Sequence, residues 1–162
     1  MNPYAIAILA YVTIERLIEL VLSGRNTKRL LARGAREHAP GHYPLIVAVH
    51  ALWILTLWVL AHDRAPDAFW LAIYVILQFA RFWVLATLGP RWTTRIIVLP
   101  GEDLVKEGPY RFLAHPNYWI VAGEIAVLPL VFGLPWMALI FTILNAAVLT
   151  VRVREENRAL RP

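Results

Sequence analysis

Cysteine and charge are scarce in this chain of 162 residues. It contains no cysteine, charged residues make up only 17% of it, and 11 acidic residues stand against 16 basic ones. The missing cysteine excludes disulfides, thiolate metal ligands, a cysteine nucleophile and palmitoylation. Soluble domains carry about 25% charged residues. The low charge therefore argues against a disordered chain and against a water-soluble enzyme of this size.

Hydrophobic residues are abundant instead, at 59% of the chain, and they form long runs. Three runs, over residues 3–22, 43–61 and 68–88, are long enough to cross about 30 Å of hydrocarbon. A fourth, over 118–150, is interrupted by Gly133, Leu134 and Pro135, a helix stop followed by a helix start. Each half has about 16 residues, or about 24 Å of helix. The break favours a tight helical hairpin over one long kinked helix.

These runs predict an all-α integral membrane protein with five transmembrane helices, the last two forming a helical hairpin. We expect a single membrane domain over residues 1–162. Residues 1–88 supply three N-terminal transmembrane helices. Residues 89–162 supply a loop, the hairpin and a tail that continues the fifth helix. The loop and tail are expected to form a cytoplasmic cofactor site.

The basic residues predict the orientation of the helices. Thirteen of the 16 lie in three segments, 23–42, 89–116 and the tail with Arg161. Because cytoplasmic loops are enriched in Lys and Arg, we expect an external N-terminus and a cytoplasmic C-terminus in a bacterial inner membrane. The same basic residues are also expected to attract anionic lipid headgroups. Nucleic acid is not an expected partner, since the sequence shows no soluble domain with aromatic side chains on which bases could stack. No metal site is expected, because His38, His42 and His50 have no ligand spacing.

Several charged groups nevertheless fall inside the predicted helices, where charge is costly and often functional. Glu15 and Glu19 share one face of the first helix, and His50 lies in the first two turns of the second. Arg81 and Glu124 lie about two turns from the cytoplasmic ends of the third and fourth helices. These positions predict a polar cavity that opens toward the cytoplasm. We favour a functional site at Arg81 and Glu124. The alternative is that these charges only hold the helices together.

The longest polar segment joins the third and fourth helices. Its TTRIIVL stretch is predicted to be extended, Pro100-Gly101 to turn, and 103–106 to pair back as a short strand. A short helix to Leu113 is expected before Pro116 opens the fourth helix. In the tail, Arg152 and Glu156 are four residues apart and share a helix face. Spacing alone also permits an ordinary surface ion pair there.

Three motifs in order carry a family resemblance. The chain resembles the isoprenylcysteine carboxyl methyltransferase family in three consecutive features: the segment LVKEGPYRFLAHPNY, the helical hairpin and the segment RVREENRAL. Members of this family are membrane enzymes that use S-adenosylmethionine. The resemblance covers about residues 88–160. Upstream, ERLIEL, SGRN and HYP resemble a short bacterial branch similar to enzymes that methylate alkylpyrone or alkylresorcinol hydroxyls. Glu102, Ala114 and Asn157 depart from the family pattern.

The resemblance implies S-adenosylmethionine as cofactor and a set of residues that bind it. Carried over onto this sequence, that set is Leu104, Val105, Gly108, Tyr110, His115, Pro116, Tyr118, Glu155 and Glu156. Catalytic roles are expected for Arg152, Glu156, Arg81, Glu124 and His50. Arg152 would orient a carboxylate, Arg81 would stabilise an oxyanion, and Glu156, Glu124 or His50 would accept a proton.

The expected activity is S-adenosylmethionine-dependent methyl transfer (EC 2.1.1) to a lipophilic small molecule from the bilayer, as O-methylation of a hydroxyl or carboxylate. Two alternatives stay open at this point. One is an isoprenylcysteine carboxyl or phospholipid acceptor for the same chemistry. The other is a non-enzymatic membrane carrier or assembly protein. The sequence says nothing about the oligomeric state.

Overall fold

The computed structural model describes residues 1–160 and consists of five α-helices and one small sheet. Arg161, which belongs to the basic tail, lies outside the described residues. The helices are α1 (Pro3–Ala32), α2 (Tyr43–Ala61), α3 (Ala68–Leu88), α4 (Pro116–Val131) and α5 (Pro135–Leu160). The strands are β1 (Arg36–His38) and β2 (Ile96–Val98). Within residues 1–160 the five predicted helices are therefore confirmed.

Local sequence signals explain where the helices begin. The side chain of Asn2 accepts hydrogen bonds from the first amides of α1, and Asp67 does the same for α3. Proline occupies the first turn of α1, α2 and α4, where a missing N–H costs nothing. Gly133, at a φ of +64°, follows the end of α4 and lies in the short connection to α5. The predicted hairpin is thus present, and the alternative of one kinked helix is not.

The helices run alternately between two ends of the bundle. The hairpin end holds residues 1–2, 62–67 and 132–134, which bond to one another. For example, the N–H of Asp67 donates to the carbonyl of Val131 at 2.7 Å, and Arg64 donates to the carbonyl of Gly133. The loop end holds residues 33–42, 89–115 and the last turns of α5. The bundle core between the two ends is apolar and is built around Trp53, Leu9, Leu57, Ile125, Leu128 and Phe132.

Membrane-spanning length is clear for three segments of residues 1–160. Helical segments Pro40–Ala61, Ala68–Arg91 and Pro135–Leu160 are long and apolar enough to cross a membrane. Helix α4 is apolar but has only 16 residues. Helix α1 is long enough, but Glu15, Arg16 and Glu19 interrupt its apolar part. These findings show an all-helical membrane protein.

Two local expectations need correction. Helix α1 does not end near residue 22 but continues to Ala32, about 45 Å in total, because its polar C-terminal third packs against the loop. The extended stretch at 96–98 is confirmed, but its partner is β1 rather than residues 103–106. The antiparallel register pairs Arg36 with Val98 and His38 with Ile96. Strand β2 thus takes its partner from the segment after α1, and residues 103–106 form no strand.

Candidate active site

A cavity of about 520 Å³ opens at the loop end, in the size range of small-molecule sites. Its walls come from β2, residues 104–106, the first turn of α4 and the last turns of α5. Seven residues of the predicted site line it: Leu104, Val105, Tyr110, His115, Tyr118, Arg152 and Glu156. The loop before α4 and the last turns of α5, which are distant in sequence, therefore meet around one cavity. The order of the three sequence motifs predicts this arrangement.

The polar wall of this cavity is a chain of hydrogen bonds centred on Tyr118. The tyrosine O–H donates to a carboxylate oxygen of Glu156, and Nε of Arg152 donates to the tyrosine oxygen at 2.7 Å. Nη1 of Arg152 donates to the carbonyl of Thr94, next to β2. Helices α4 and α5 and the loop are thereby joined at one point, which holds the guanidinium in a fixed orientation.

Arg152 has an unusual environment for a buried cation. Its residue is only 7% exposed, and no carboxylate oxygen in residues 1–160 lies within 4 Å of its guanidinium. The ordinary ion pair with Glu156 that the spacing permits is therefore not formed. A buried charge without a counter-ion is costly. The cavity is where an anionic group would compensate that cost.

His115 completes the polar wall on the α5 side. Its ring stacks on Tyr118 with 5.3 Å between ring centroids. Nδ1 lies 3.7 Å from Glu156 Oε1, and Nε2 lies 3.2 Å from Oδ1 of Asn157. Asn157 is one of the departures from the family pattern, and here it provides the partner of the histidine. Glu156 thus contacts polar atoms of both stacked rings, the Tyr118 hydroxyl and His115 Nδ1.

Tyr110 lies in a short 3-10 turn that closes the cavity on the loop side. Burial raises the pKa of its hydroxyl to about 12, and the nearby Glu156 carboxylate adds to the effect. The hydroxyl therefore stays protonated at neutral pH. It can donate a hydrogen bond to a ligand but cannot serve as a general base.

Three residues of the predicted cofactor set do not line the cavity. Gly108 has a φ of +54° and packs against α3, where an added Cβ would come within 2.5 Å of Thr87 Oγ1. Pro116 is buried at the start of α4. Glu155 points away and pairs with Arg158 at 2.7 Å. Gly108 and Pro116 thus shape the loop that carries Tyr110 and His115.

The other predicted catalytic residues lie deeper in the bundle. Nη1 of Arg81 donates to Glu124 Oε2 at 2.8 Å, so the two residues singled out from the sequence are in contact. Glu124 follows Tyr118 by six residues, which places it about 9 Å further from the loop end. Nδ1 of His50 lies 2.9 Å from the carbonyl of Ile46 in its own helix. Arg81, Glu124 and His50 are therefore separate from the cavity.

Arg81 and Glu124 belong to a larger cluster of four charges, which we call the buried ionic cluster: Arg16, Glu19, Arg81 and Glu124. Arg81 makes two hydrogen bonds to Glu19, and Arg16 donates to Glu124 at 2.6 Å. Two positive and two negative charges balance. The cluster joins α1, α3 and α4 where little water can reach, so each charge depends on the others.

Sequence reasoning missed the residues that attach α1 to the loop. Ser23 and Thr94 exchange two hydrogen bonds, between their hydroxyls at 2.7 Å and from the Thr94 N–H to Ser23 Oγ at 2.8 Å. The amide of Asn26 donates to the carbonyl of Trp92 at 2.8 Å. The SGRN stretch was the available signal. Its polar residues at helical spacing on an otherwise apolar helix indicate a partner.

A family model described as "Isoprenylcysteine carboxyl methyltransferase (ICMT) family" matches residues 70–162, more than half of the chain. The chain belongs to the ICMT family. The match begins in α3 and includes Arg81, Glu124 and every residue that lines the cavity except Leu30. The resemblance seen in the three motifs is confirmed, and family membership together with the apolar helices indicates a membrane methyltransferase.

Two bacterial relatives extend the similarity to almost the whole chain. "Uncharacterized protein YpbQ" of Bacillus subtilis (strain 168) is 37% identical over 159 residues, covering 95% of both chains. An "Uncharacterized protein" of Haemophilus influenzae is 24% identical over 151 residues, covering 90% of this chain and 88% of its own. No solved structure matches the chain significantly. The similarity to the Bacillus protein therefore extends beyond residues 70–162, the part of the chain that the family model matches.

Proposed function

We propose that this chain is an S-adenosylmethionine-dependent methyltransferase that O-methylates a hydroxyl or carboxylate of a lipophilic acceptor. The observation that carries the proposal is Arg152, a buried guanidinium that has no counter-ion within residues 1–160 and lines the cavity beside Glu156. A non-enzymatic carrier would need an enclosed ligand space but not this pair of opposite charges fixed through Tyr118.

The cavity fits the cofactor in its chemistry. A carboxylate suits the amino group of S-adenosylmethionine, a role that Glu156 can take, while the Arg152 guanidinium suits its carboxylate group. Leu104 and Val105 supply an apolar border for the adenine, and the Tyr110 hydroxyl can donate to a ribose oxygen. When bound, the cofactor supplies an electrophilic methyl group. The residues of the cavity hold and orient the reactants and exclude water.

Glu156 is the residue we assign to proton transfer with a hydroxyl acceptor. It lies in the cavity, and its carboxylate accepts the O–H of Tyr118. Glu124 is wholly buried in the ionic cluster and already bonds to Arg16, Arg81 and Gln78. Arg152 is the group that can stabilise a carboxylate acceptor or a developing oxyanion. We therefore propose that Arg81, Glu124 and His50 act on the fold rather than on the acceptor.

Calorimetric titration of the purified protein in detergent tests cofactor binding directly. We expect S-adenosylmethionine and S-adenosylhomocysteine to bind with dissociation constants between about 1 μM and 1 mM, the range that is usual for the KM values of enzymes. The matched comparison is Glu156→Gln, which keeps the shape but removes the charge that faces the cofactor's ammonium group. Failure of both ligands to bind the wild-type protein would contradict the proposed activity.

We further propose that all five helices cross the inner membrane of a bacterium, with the loop end in the cytoplasm. Because the chain has no cysteine, single cysteines report topology without background. Ala65→Cys at the hairpin end and Lys106→Cys at the loop end both place a thiol at an exposed position. In intact cells, we expect a membrane-impermeant maleimide to label residue 65 only. Labelling of residue 106 before permeabilisation would show that the orientation is the reverse of the proposed one.

A further inference from the structure

A single residue of the loop, Thr94, connects the candidate active site to the first two helices. Its carbonyl accepts a hydrogen bond from Nη1 of Arg152. Its N–H donates to Ser23 Oγ of α1 at 2.8 Å, and the hydroxyls of Thr94 and Ser23 lie 2.7 Å apart. The hydroxyl of Tyr43, at the start of α2, lies 3.1 Å from Thr94 Oγ1. All three polar groups of Thr94 thus have partners, and one of these partners is the arginine of the site.

Ser23 holds both the backbone and the side chain of Thr94 at a place that water hardly reaches. It is only 2% exposed. Without its hydroxyl, the Thr94 N–H would lose its acceptor, and leaving a buried donor unpaired is costly. Nearly one turn further along α1, Asn26 donates to the carbonyls of Gly89 and Trp92 and holds the loop independently. Loss of the Ser23 hydroxyl should therefore shift residue 94 locally without detaching the loop from α1.

The position of the Thr94 carbonyl matters because it sets the orientation of the Arg152 guanidinium. Nε donates to the Tyr118 oxygen at 2.7 Å, and Nη1 donates to Thr94. Nη2 has no hydrogen-bond partner within residues 1–160, and it is not sealed from solvent. The guanidinium is planar and rigid, so a shift of either acceptor turns Nη2 relative to the cavity that Arg152 lines. Ser23 therefore acts on the site through two hydrogen-bonded residues.

We propose that Ser23 is a positioning residue of the candidate active site. Through Thr94 it holds the Arg152 guanidinium in the orientation that binds the carboxylate group of S-adenosylmethionine. This inference rests on the proposed function and extends it to α1, since Ser23 lies outside residues 70–162, which the family model matches. A purely structural role predicts weaker binding of every ligand of the cavity. A positioning role predicts a loss confined to ligands that carry the carboxylate.

Calorimetry with two matched ligands tests the proposal on the full chain in detergent. The ligands are S-adenosylhomocysteine and its decarboxylated analogue, S-adenosyl-3-thiopropylamine, which keeps the adenosine and the amino group. For Ser23→Ala, we expect the dissociation constant of S-adenosylhomocysteine to rise about tenfold, the equivalent of one hydrogen bond to a charged group. The dissociation constant of the analogue should stay at its wild-type value, which also shows that the variant is folded.

Two further variants complete the comparison. Thr27→Val, also on α1, removes a buried hydroxyl that has no partner within residues 1–160, so the affinities for both ligands should remain those of the wild type. Arg152→Ala should show the same ligand preference as Ser23→Ala. The double variant should bind S-adenosylhomocysteine no more weakly than Arg152→Ala alone, because residues that act as one unit are not additive.

Hydrogen exchange of the Thr94 amide gives a readout that needs no ligand. Exchange should become faster in Ser23→Ala, which removes the acceptor of this N–H, and should not change in Thr27→Val. An unchanged exchange rate in Ser23→Ala would show that Ser23 does not hold residue 94, which overturns the proposal.

Three binding results would also overturn it: unchanged affinity of Ser23→Ala for S-adenosylhomocysteine, an equal loss for both ligands, or additive losses in the double variant. Equal loss for both ligands would assign Ser23 a structural role only. If the wild-type protein bound neither ligand, the proposed function itself would be contradicted, and the positioning role with it.

Discussion

Replacing Arg81 by leucine will lower the free energy of unfolding by about 3–5 kcal/mol, the usual cost of removing one partner of a buried ion pair. Arg81 is only 4% exposed and bonds to both Glu19 and Glu124. Without it, the two carboxylates share Arg16 alone, and one negative charge remains uncompensated in the bundle. Titration with denaturing detergent, followed by tryptophan fluorescence, measures the loss.

The double variant Arg81→Leu with Glu19→Leu is the matched control. It removes one positive and one negative charge and leaves the neutral pair of Arg16 and Glu124. Because apolar side chains of similar volume often replace buried ion pairs at little cost, we expect most of the lost stability to return. If the single and double variants were equally destabilised, packing around Arg81 rather than charge balance would account for the effect.

Replacing Arg152 by alanine will lower kcat/KM for methyl transfer by about 100-fold or more, the usual loss when a donor to a developing charge is removed. The guanidinium bonds to Tyr118 and to the carbonyl of Thr94 and still faces the cavity. Lysine at this position should not restore activity. A single ammonium group cannot donate to both Tyr118 and the Thr94 carbonyl and still face the acceptor. Product formation with labelled S-adenosylmethionine is the assay.

Arg158→Ala provides the control for this prediction on the same helix. The Arg158 side chain is 75% exposed and pairs only with Glu155 among the described residues. Its removal should change kcat/KM by less than about twofold, since exposed ion pairs contribute little. Glu156→Ala should resemble Arg152→Ala. Wild-type turnover in both cavity variants would show that the tail of α5 has no role in the reaction.

Calorimetry on the same variants separates binding from chemistry. If Arg152 holds the cofactor's carboxylate, the dissociation constant for S-adenosylhomocysteine rises along with the loss of turnover. If it orients the acceptor, cofactor affinity stays near wild type and only turnover falls. Glu156, which we place against the ammonium, should weaken cofactor binding when its charge is removed.

Much of the architecture was readable from residue pattern. Runs of apolar residues predicted the five helices, and Gly133 with Pro135 predicted the hairpin, because these signals act within a few residues. The contact between Arg81 and Glu124 was also predictable, since buried opposite charges at similar depth can compensate each other. Arg16 is the fourth member of the cluster, and its spacing from Glu19 places both on one helix face.

Other features depend on which distant segments meet, and local pattern carries no such information. Three-residue strands have too little sequence to choose a partner, so β2 pairs with β1 only because α1 continues to Ala32 and delivers β1 to that edge. Arg152 and Glu156 share a helix face, yet Tyr118 separates them, and no other carboxylate among the described residues pairs with the arginine. Residue pattern thus determines a hydrophobic, basic, five-helix chain of the ICMT family. Packing of remote segments determines that Arg152 lines a cavity without a counter-ion in residues 1–160, because burial and pairing are properties of the assembled bundle.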